Sequence, residues 1–210
     1  MKTVAFVSQK GGSGKTTLSI HYAVAAAETG LKVAIVDTDP QASSTGWGKA
    51  REKEFPTVAT CSASEIDKVI EHARNDGYEL VVIDAAPHLD PGIARIAAAA
   101  DFIVVPVRPT PLDIQTAHRA AAVAKASGNP FGFVLNGCPP KAAEIADAFR
   151  ILGDLGGSVC PMTVGERRAF ARAIGTGESV TEFDPFGKSS QEIRSVWMWV
   201  ETFIRKGVKA

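Results

Sequence analysis

The chain has 210 residues, 45% hydrophobic and 22% charged, a mixture that suits one sizeable folded core and leaves too little for two. Lysine plus arginine (23) balances aspartate plus glutamate (23), so the chain has no overall polybasic character, and any nucleic-acid contact must come from a local patch or one doubled in an oligomer. Cys61, Cys138 and Cys160 form no C-x-x-C pair, which argues against a zinc or iron–sulfur site built from one local motif and fits a reducing compartment. The opening run Met1–Ser8 passes at once into Gln9-Lys10-Gly11-Gly12, so no signal peptide is expected. No stretch approaches the ~18 apolar residues of a membrane span, and a cytoplasmic location is the expectation.

Short apolar runs alternate along the chain with longer segments of helical period. Thr3–Val7, Val33–Asp37, Leu80–Asp84, Phe102–Val107 and Phe131–Asn136 read as strands buried on both faces, with a weaker run near Val159. Between them, Thr16–Thr29, Ala63–Asn75, Ile93–Ala100, Ile114–Ala126 and Ala142–Leu152 read as helices. The alternation predicts an α/β fold over a single domain, 1–210: a doubly wound, mostly parallel sheet with helices on both faces and right-handed crossovers. Ligands in such sheets sit beyond the carboxyl ends of the strands, and each motif below falls at such an end.

The first strand leads into Lys10-Gly11-Gly12-Ser13-Gly14-Lys15-Thr16-Thr17. Gly11, Gly12 and Gly14 let the backbone curl so that its N–H groups surround a phosphate, and the helix opening near Lys15 aims its positive dipole end at the same anion. Lys15 can reach the β- and γ-phosphates, and the Thr16 hydroxyl is placed to ligate Mg²⁺. The strict phosphate-loop pattern begins with glycine, where this chain has Gln9. The second strand ends Asp37-Thr38-Asp39-Pro40-Gln41, with carboxylates at i and i+2 that either serve the phosphate chemistry or cap the next helix. The run Leu80–Ile83 ends in Asp84, an apolar strand closing on an acid suited to a metal, followed by Ala85-Ala86-Pro87. Asn136 closes a later strand; its amide offers a donor and an acceptor together.

With Lys10 in place, the loop fits x-K-G-G-x-G-K-[ST]-[ST]. On this loop and the Asp37–Gln41 block, the sequence resembles the ParA/MinD superfamily of deviant Walker A P-loop ATPases, small ParA partition proteins of the ParF type without a helix-turn-helix domain above all. The resemblance runs from Lys2 to about Ile204. It implies that Lys10, Lys15 and Asp39 are catalytic, with Lys10 reaching across a nucleotide-sandwich dimer to the partner's phosphates and Asp39 orienting the attacking water. Gly11, Gly12, Ser13, Gly14, Lys15, Thr16 and Thr17 would bind ATP or ADP, Asn136 the adenine edge, and Thr16, Asp37 and Asp84 the Mg²⁺. The segment 85–87 takes the place of the family's switch II, without its common threonine at 85.

Arg167, Ala173, Gly177 and Val180 match the family pattern R-x-x-x-x-x-A-x-x-x-G-x-x-V, and Arg167, Arg168, Arg172 and Lys188 are candidate DNA contacts, a solvated helix face being the alternative. The last helix carries Ile193, Val196, Trp197, Val200, Phe203 and Ile204 at helical spacing, then Arg205, Lys206 and Lys209. Packing on the sheet is favoured there over a membrane-binding tail. The implied function is a weak ATPase that dimerises on ATP, binds nonspecific DNA of the nucleoid and is released when a small ParB- or ParG-like partner stimulates hydrolysis. It would segregate plasmid or chromosomal DNA. Alternatives are a protein cargo (a chemoreceptor cluster or microcompartment) and a MinD-like membrane cycle.

Overall fold

The computed structural model describes residues 1–87, 91–140 and 143–206. β1 (Lys2–Phe6), α1 (Lys15–Ala27), β2 (Val33–Asp37), α2 (Ser43–Ala50) and β3 (Thr57–Thr60) come first. A 3-10 turn (Ala63–Glu65), α3 (Ile66–Asn75), β4 (Leu80–Asp84), α4 (Pro91–Ala99), β5 (Phe102–Val107) and α5 (Pro111–Ser127) follow. The chain continues through β6 (Phe131–Cys138), α6 (Glu144–Gly153), β7 (Ser158–Val159), β8 (Val164–Gly165), α7 (Arg168–Gly175), α8 (Val180–Phe183) and α9 (Lys188–Lys206). The predicted start of α6 at Ala142 lies outside the described residues, as does Lys209.

The strands run in the order β3-β2-β4-β1-β5-β6-β7, with β8 on β6, and every recorded pairing is parallel. Successive residues of β1 therefore face opposite layers. Val4 and Phe6 enter one core with α1, α7 and α9, while Ala5 and Val7 enter the other with α3, α4, α5 and α6. This two-sided burial explains why the strands read as unbroken apolar runs. The expected doubly wound sheet is the observed one.

The stripe of α9 is taken up inside: Ile193, Val196, Trp197, Val200 and Ile204 are buried with Tyr22 of α1, and Phe203 stacks on Phe102. No helix among the described residues is long and apolar enough to cross a membrane.

One buried histidine ties α1 to the C-terminal helices. The ring of His21 lies against Phe170, and its Nδ1 accepts the Val180 N–H at 3.2 Å. Burial lowers its pKa from 6.5 to about 3, so it folds neutral. The unfolded chain then binds more protons than the folded one between pH 3 and 6.5, and stability falls as pH drops through that window. Between pH 6.5 and 5 this group alone costs about 2 kcal/mol. Asp84, whose folded pKa is raised to about 6, pulls the other way. The informative quantity is therefore the difference between wild type and His21→Leu in urea midpoint across pH 5–7. The variant is expected to lose the acid sensitivity that the histidine contributes, and identical pH slopes would count against a neutral buried ring.

Candidate functional site

The site forms where β1 delivers the chain into α1. Gly12 and Gly14 take positive φ of 77° and 97°, and Gly14 is the N-cap of α1. At Gly14 this conformation goes with a close approach: an added Cβ would lie 2.0 Å from Asn136 Nδ2. Asn136, at the carboxyl end of β6, donates that amide to the Ser13 carbonyl at 2.8 Å. The asparagine expected at the adenine edge thus commits one amide proton to holding the phosphate loop.

A cavity of about 330 Å³ opens over this loop, within the range of small-molecule sites. Gly11, Gly12, Gly14, Lys15, Thr16, Thr17, Asp39 and Asn136 line it, as the sequence reading expected of a common site. Pro87 of the 85–87 segment also lines it, as do Arg108, Gly137 and Phe170, which no local motif marked. A second cavity, about 310 Å³, lies between Thr38–Pro40 and Ala85–Ala86, against Cys61, Ile93 and Ile96.

The two strand-end aspartates sit opposite each other in the β2–β4 register, both fully buried, yet they do different work. Asp37 Oδ1 accepts the Asp39 N–H at 3.1 Å, and its Oδ2 accepts the Thr45 N–H at 2.9 Å and the Thr45 hydroxyl at 3.0 Å. It anchors the first turn of α2, the capping role that the sequence left open beside a metal role. Asp84 Oδ2 accepts from the Ser44 hydroxyl at 2.7 Å, while its Oδ1 is buried without a partner. Burial pushes the Asp84 carboxyl up to about 6, against the Ser44 hydrogen bond and the nearby Thr16 hydroxyl. An orphaned buried carboxylate oxygen beside a threonine hydroxyl is a costly arrangement that a divalent cation would relieve. No cluster of three or more His, Cys, Asp or Glu suited to a metal stands among the described residues. The donors present, the Asp84 carboxylate and the Thr16 hydroxyl, fit Mg²⁺, which accepts a few protein oxygens and completes its shell with phosphate and water.

Lys15 is 6% exposed, and burial lowers its pKa despite Asp84 and Asp39 nearby. A desolvated ammonium of this kind favours an anion, so the loop joins backbone donors, a helix N-terminus and a buried cation around one phosphate position. Asp39 accepts the Gln41 N–H at 2.9 Å, and the turn closes through Ala42, whose φ of 52° is unusual for alanine.

Lys10 is not among the residues lining the cavity of its own loop. Its Nζ instead meets Asp113 Oδ2 at 2.6 Å, in the first turn of α5. Asp113 went unmarked in the sequence because Thr110-Pro111-Leu112-Asp113 reads simply as a helix start. Arg167, expected as a DNA contact, lines the cavity and holds Glu192, with Nη2 2.6 Å from Oε1. Arg168 and Arg172 are exposed on α7, one helical turn apart, and Lys188 is exposed at the start of α9.

A family model, the CobQ/CobB/MinD/ParA nucleotide binding domain, matches residues 4–180. The chain is 33% identical over 199 residues to the Maintenance of carboxysome distribution protein A of Gloeobacter kilaueensis, covering 91% of this chain and 88% of that one. Among solved structures, apo McdA of Cyanthece superposes with a TM-score of 0.80 at 14% identity, covering 95% of this chain and 99% of that one. The septum site-determining protein MinD of Pyrococcus horikoshii, complexed with Mg-ADP, gives a TM-score of 0.80 at 19% identity, covering 100% of this chain and 98% of that one. Both structural likenesses concern the fold.

Proposed function

The chain belongs to the CobQ/CobB/MinD/ParA nucleotide-binding family, and we propose that it acts there as a positioning ATPase whose dimer is assembled by ATP. The observation that carries this reading is the division of labour between the loop's two lysines: Lys15 lies buried in the nucleotide cavity, while Lys10 does not line it. A second loop lysine outside its own cavity suits contact with a nucleotide in a second copy, and its bond to Asp113 must then break on dimerisation.

In this reading Gly11–Thr17 and Lys15 bind the phosphates, Asn136 braces the loop, and Asp39 holds a water in line with the γ-phosphorus. Thr16 and Asp84 would hold Mg²⁺, and Asp37 keeps the Asp39 segment in place from behind. Held by these residues, Mg²⁺ would supply positive charge against that developing on the transferred phosphoryl group. ATP dependence follows from contacts to the γ-phosphate that are lost on hydrolysis.

Arg168, Arg172 and Lys188 are exposed cations, and a dimer doubles their number. Each phosphate contact steepens the salt dependence of binding, so nonspecific DNA is held by the dimer and released by the monomer. A small protein activator of hydrolysis completes the cycle. For the cargo, the likeness to a protein named for carboxysome distribution, over most of both chains, favours a protein assembly over a plasmid.

Lys10→Ala tests the reading. The variant is expected to bind ATP within about threefold of wild type yet to remain monomeric with ATP in analytical ultracentrifugation. In the same buffers only the wild type should be retained on nonspecific duplex DNA. A Lys10→Ala protein that dimerises at wild-type ATP concentrations would overturn the trans role.

A further inference from the structure

We propose that Arg51 and Glu182 are positioning residues for hydrolysis: they fix the rear of α2, and through it the Asp39 segment, relative to the phosphate loop. The inference rests on the ATPase reading above.

The front of α2 is held by the strand-end aspartates, through Thr45 to Asp37 and Ser44 to Asp84. Its rear ends at Arg51, a side chain only 3% exposed. The guanidinium gives Nη1 to Glu182 Oε2 at 2.9 Å and Nη2 to Oε1 at 2.8 Å, a two-pronged pair. Nη1 also reaches the Gly177 carbonyl at 3.1 Å, while Nε and Nη2 reach the Phe55 carbonyl at 3.0 and 2.6 Å. All five donors of the fork are thereby used. The same guanidinium lies 5.0 Å over the Trp47 ring, whose Nε1 donates to the Glu178 carbonyl at 3.1 Å. A Cβ on Gly177, at φ 72°, would come within 2.4 Å of the Ala50 carbonyl oxygen, so backbone meets backbone here.

Residues 177–182 also grip α1, the helix that the phosphate loop opens. Glu182 accepts the Ser179 N–H at 2.9 Å, closing a capping box on α8. Ser179 Oγ lies 3.2 Å from His21 Nδ1, which also accepts the Val180 N–H. One short cap thus joins α1, which opens at Lys15, to α2, which follows Asp39. Holding both at once makes their spacing a property of this junction. A water-positioning carboxylate needs its spacing to the phosphates held to well under an ångström. Binding of the phosphates by the loop itself needs no such spacing.

The prediction is therefore a split between turnover and affinity. Removing one member of a buried pair strands the other, so Glu182→Gln alone could unfold the chain. The decisive variant is Arg51→Met/Glu182→Leu, which replaces both charges with apolar groups of similar bulk. It leaves the Gly177 and Phe55 carbonyls and the Ser179 N–H without these partners, so its thermal midpoint should fall. Assayed well below that midpoint, with ADP affinity near wild type, it should lose about tenfold in kcat while KM changes less than about threefold. Arg51→Lys, which keeps the charge but not the fork, should show the same split more mildly. Wild-type kcat in the folded double variant, or a parallel loss of ADP affinity, overturns the inference. A failure of the double variant to fold would assign the pair to stability and overturn it also. A wild-type protein that does not hydrolyse ATP would instead refute the underlying ATPase reading, which is a distinct outcome.

Discussion

Asp39→Ala is expected to lower ATP turnover by a factor of about 10²–10³ while ATP binding persists. Asp39 is the strand-end carboxylate that lines the cavity, with one recorded side-chain hydrogen bond, accepted from the Gln41 N–H. Asp37 accepts from the Asp39 N–H and twice from Thr45, and Asp84 sits behind Thr16 and Ser44. A carboxylate free to orient water is thus left at position 39. The local cost of the substitution is one turn hydrogen bond, about 1 kcal/mol, so the variant should fold. Single-turnover phosphate release with fluorescent-nucleotide binding separates the two effects. The assigned role fails if turnover stays within about threefold of wild type, or if ATP affinity falls as far as turnover does.

Gly14→Ala should destroy the site by geometry alone. At φ 97° a Cβ is strained by about 1–2 kcal/mol, and here it would also lie 2.0 Å from Asn136 Nδ2. Forcing Asn136 aside breaks its bond to the Ser13 carbonyl and adds an overpacking cost of about 1–3 kcal/mol. Together the loss of stability is on the order of 3 kcal/mol. ADP affinity should fall about a hundredfold, because the loop N–H groups no longer converge. Gly14→Ala/Asn136→Ala relieves the clash but not the backbone strain, so calorimetry should show partial recovery of stability. Full recovery would mean that φ imposes no constraint here; no recovery would mean that the clash with Asn136 is not what destabilises the single variant.

Much of this was legible because it is local. Strands buried on both faces advertise themselves as apolar runs, and the glycine pattern at 11, 12 and 14 carries its own reason, the curl of backbone about an anion. What escaped was what lacks an apolar period. α2 contains Gly46 and Gly48, and its buried residues are Ser44 and Trp47. β3 is a half-exposed outer strand, and α7 and α8 are short. Without a wide apolar face there is no periodic signal to read.

The sequence by itself determined the fold class and pointed to the phosphate loop and several of the residues that line its cavity. Only the tertiary structure decided what each polar side chain does there. It separated Asp37 from Asp84, identical residues at paired positions, by giving both oxygens of one a donor and leaving the other an orphaned oxygen. It turned Asn136 toward Ser13, Lys10 toward Asp113, Arg167 toward Glu192 and Arg51 toward Glu182. The physical reason is common to all of them. In each pair at least one side chain is largely buried and costly to leave unpaired, and the partners here lie between 25 and 131 residues away along the chain. Such pairings are set by how the sheet and its two helical layers bring distant segments together, and no local pattern of residues records them.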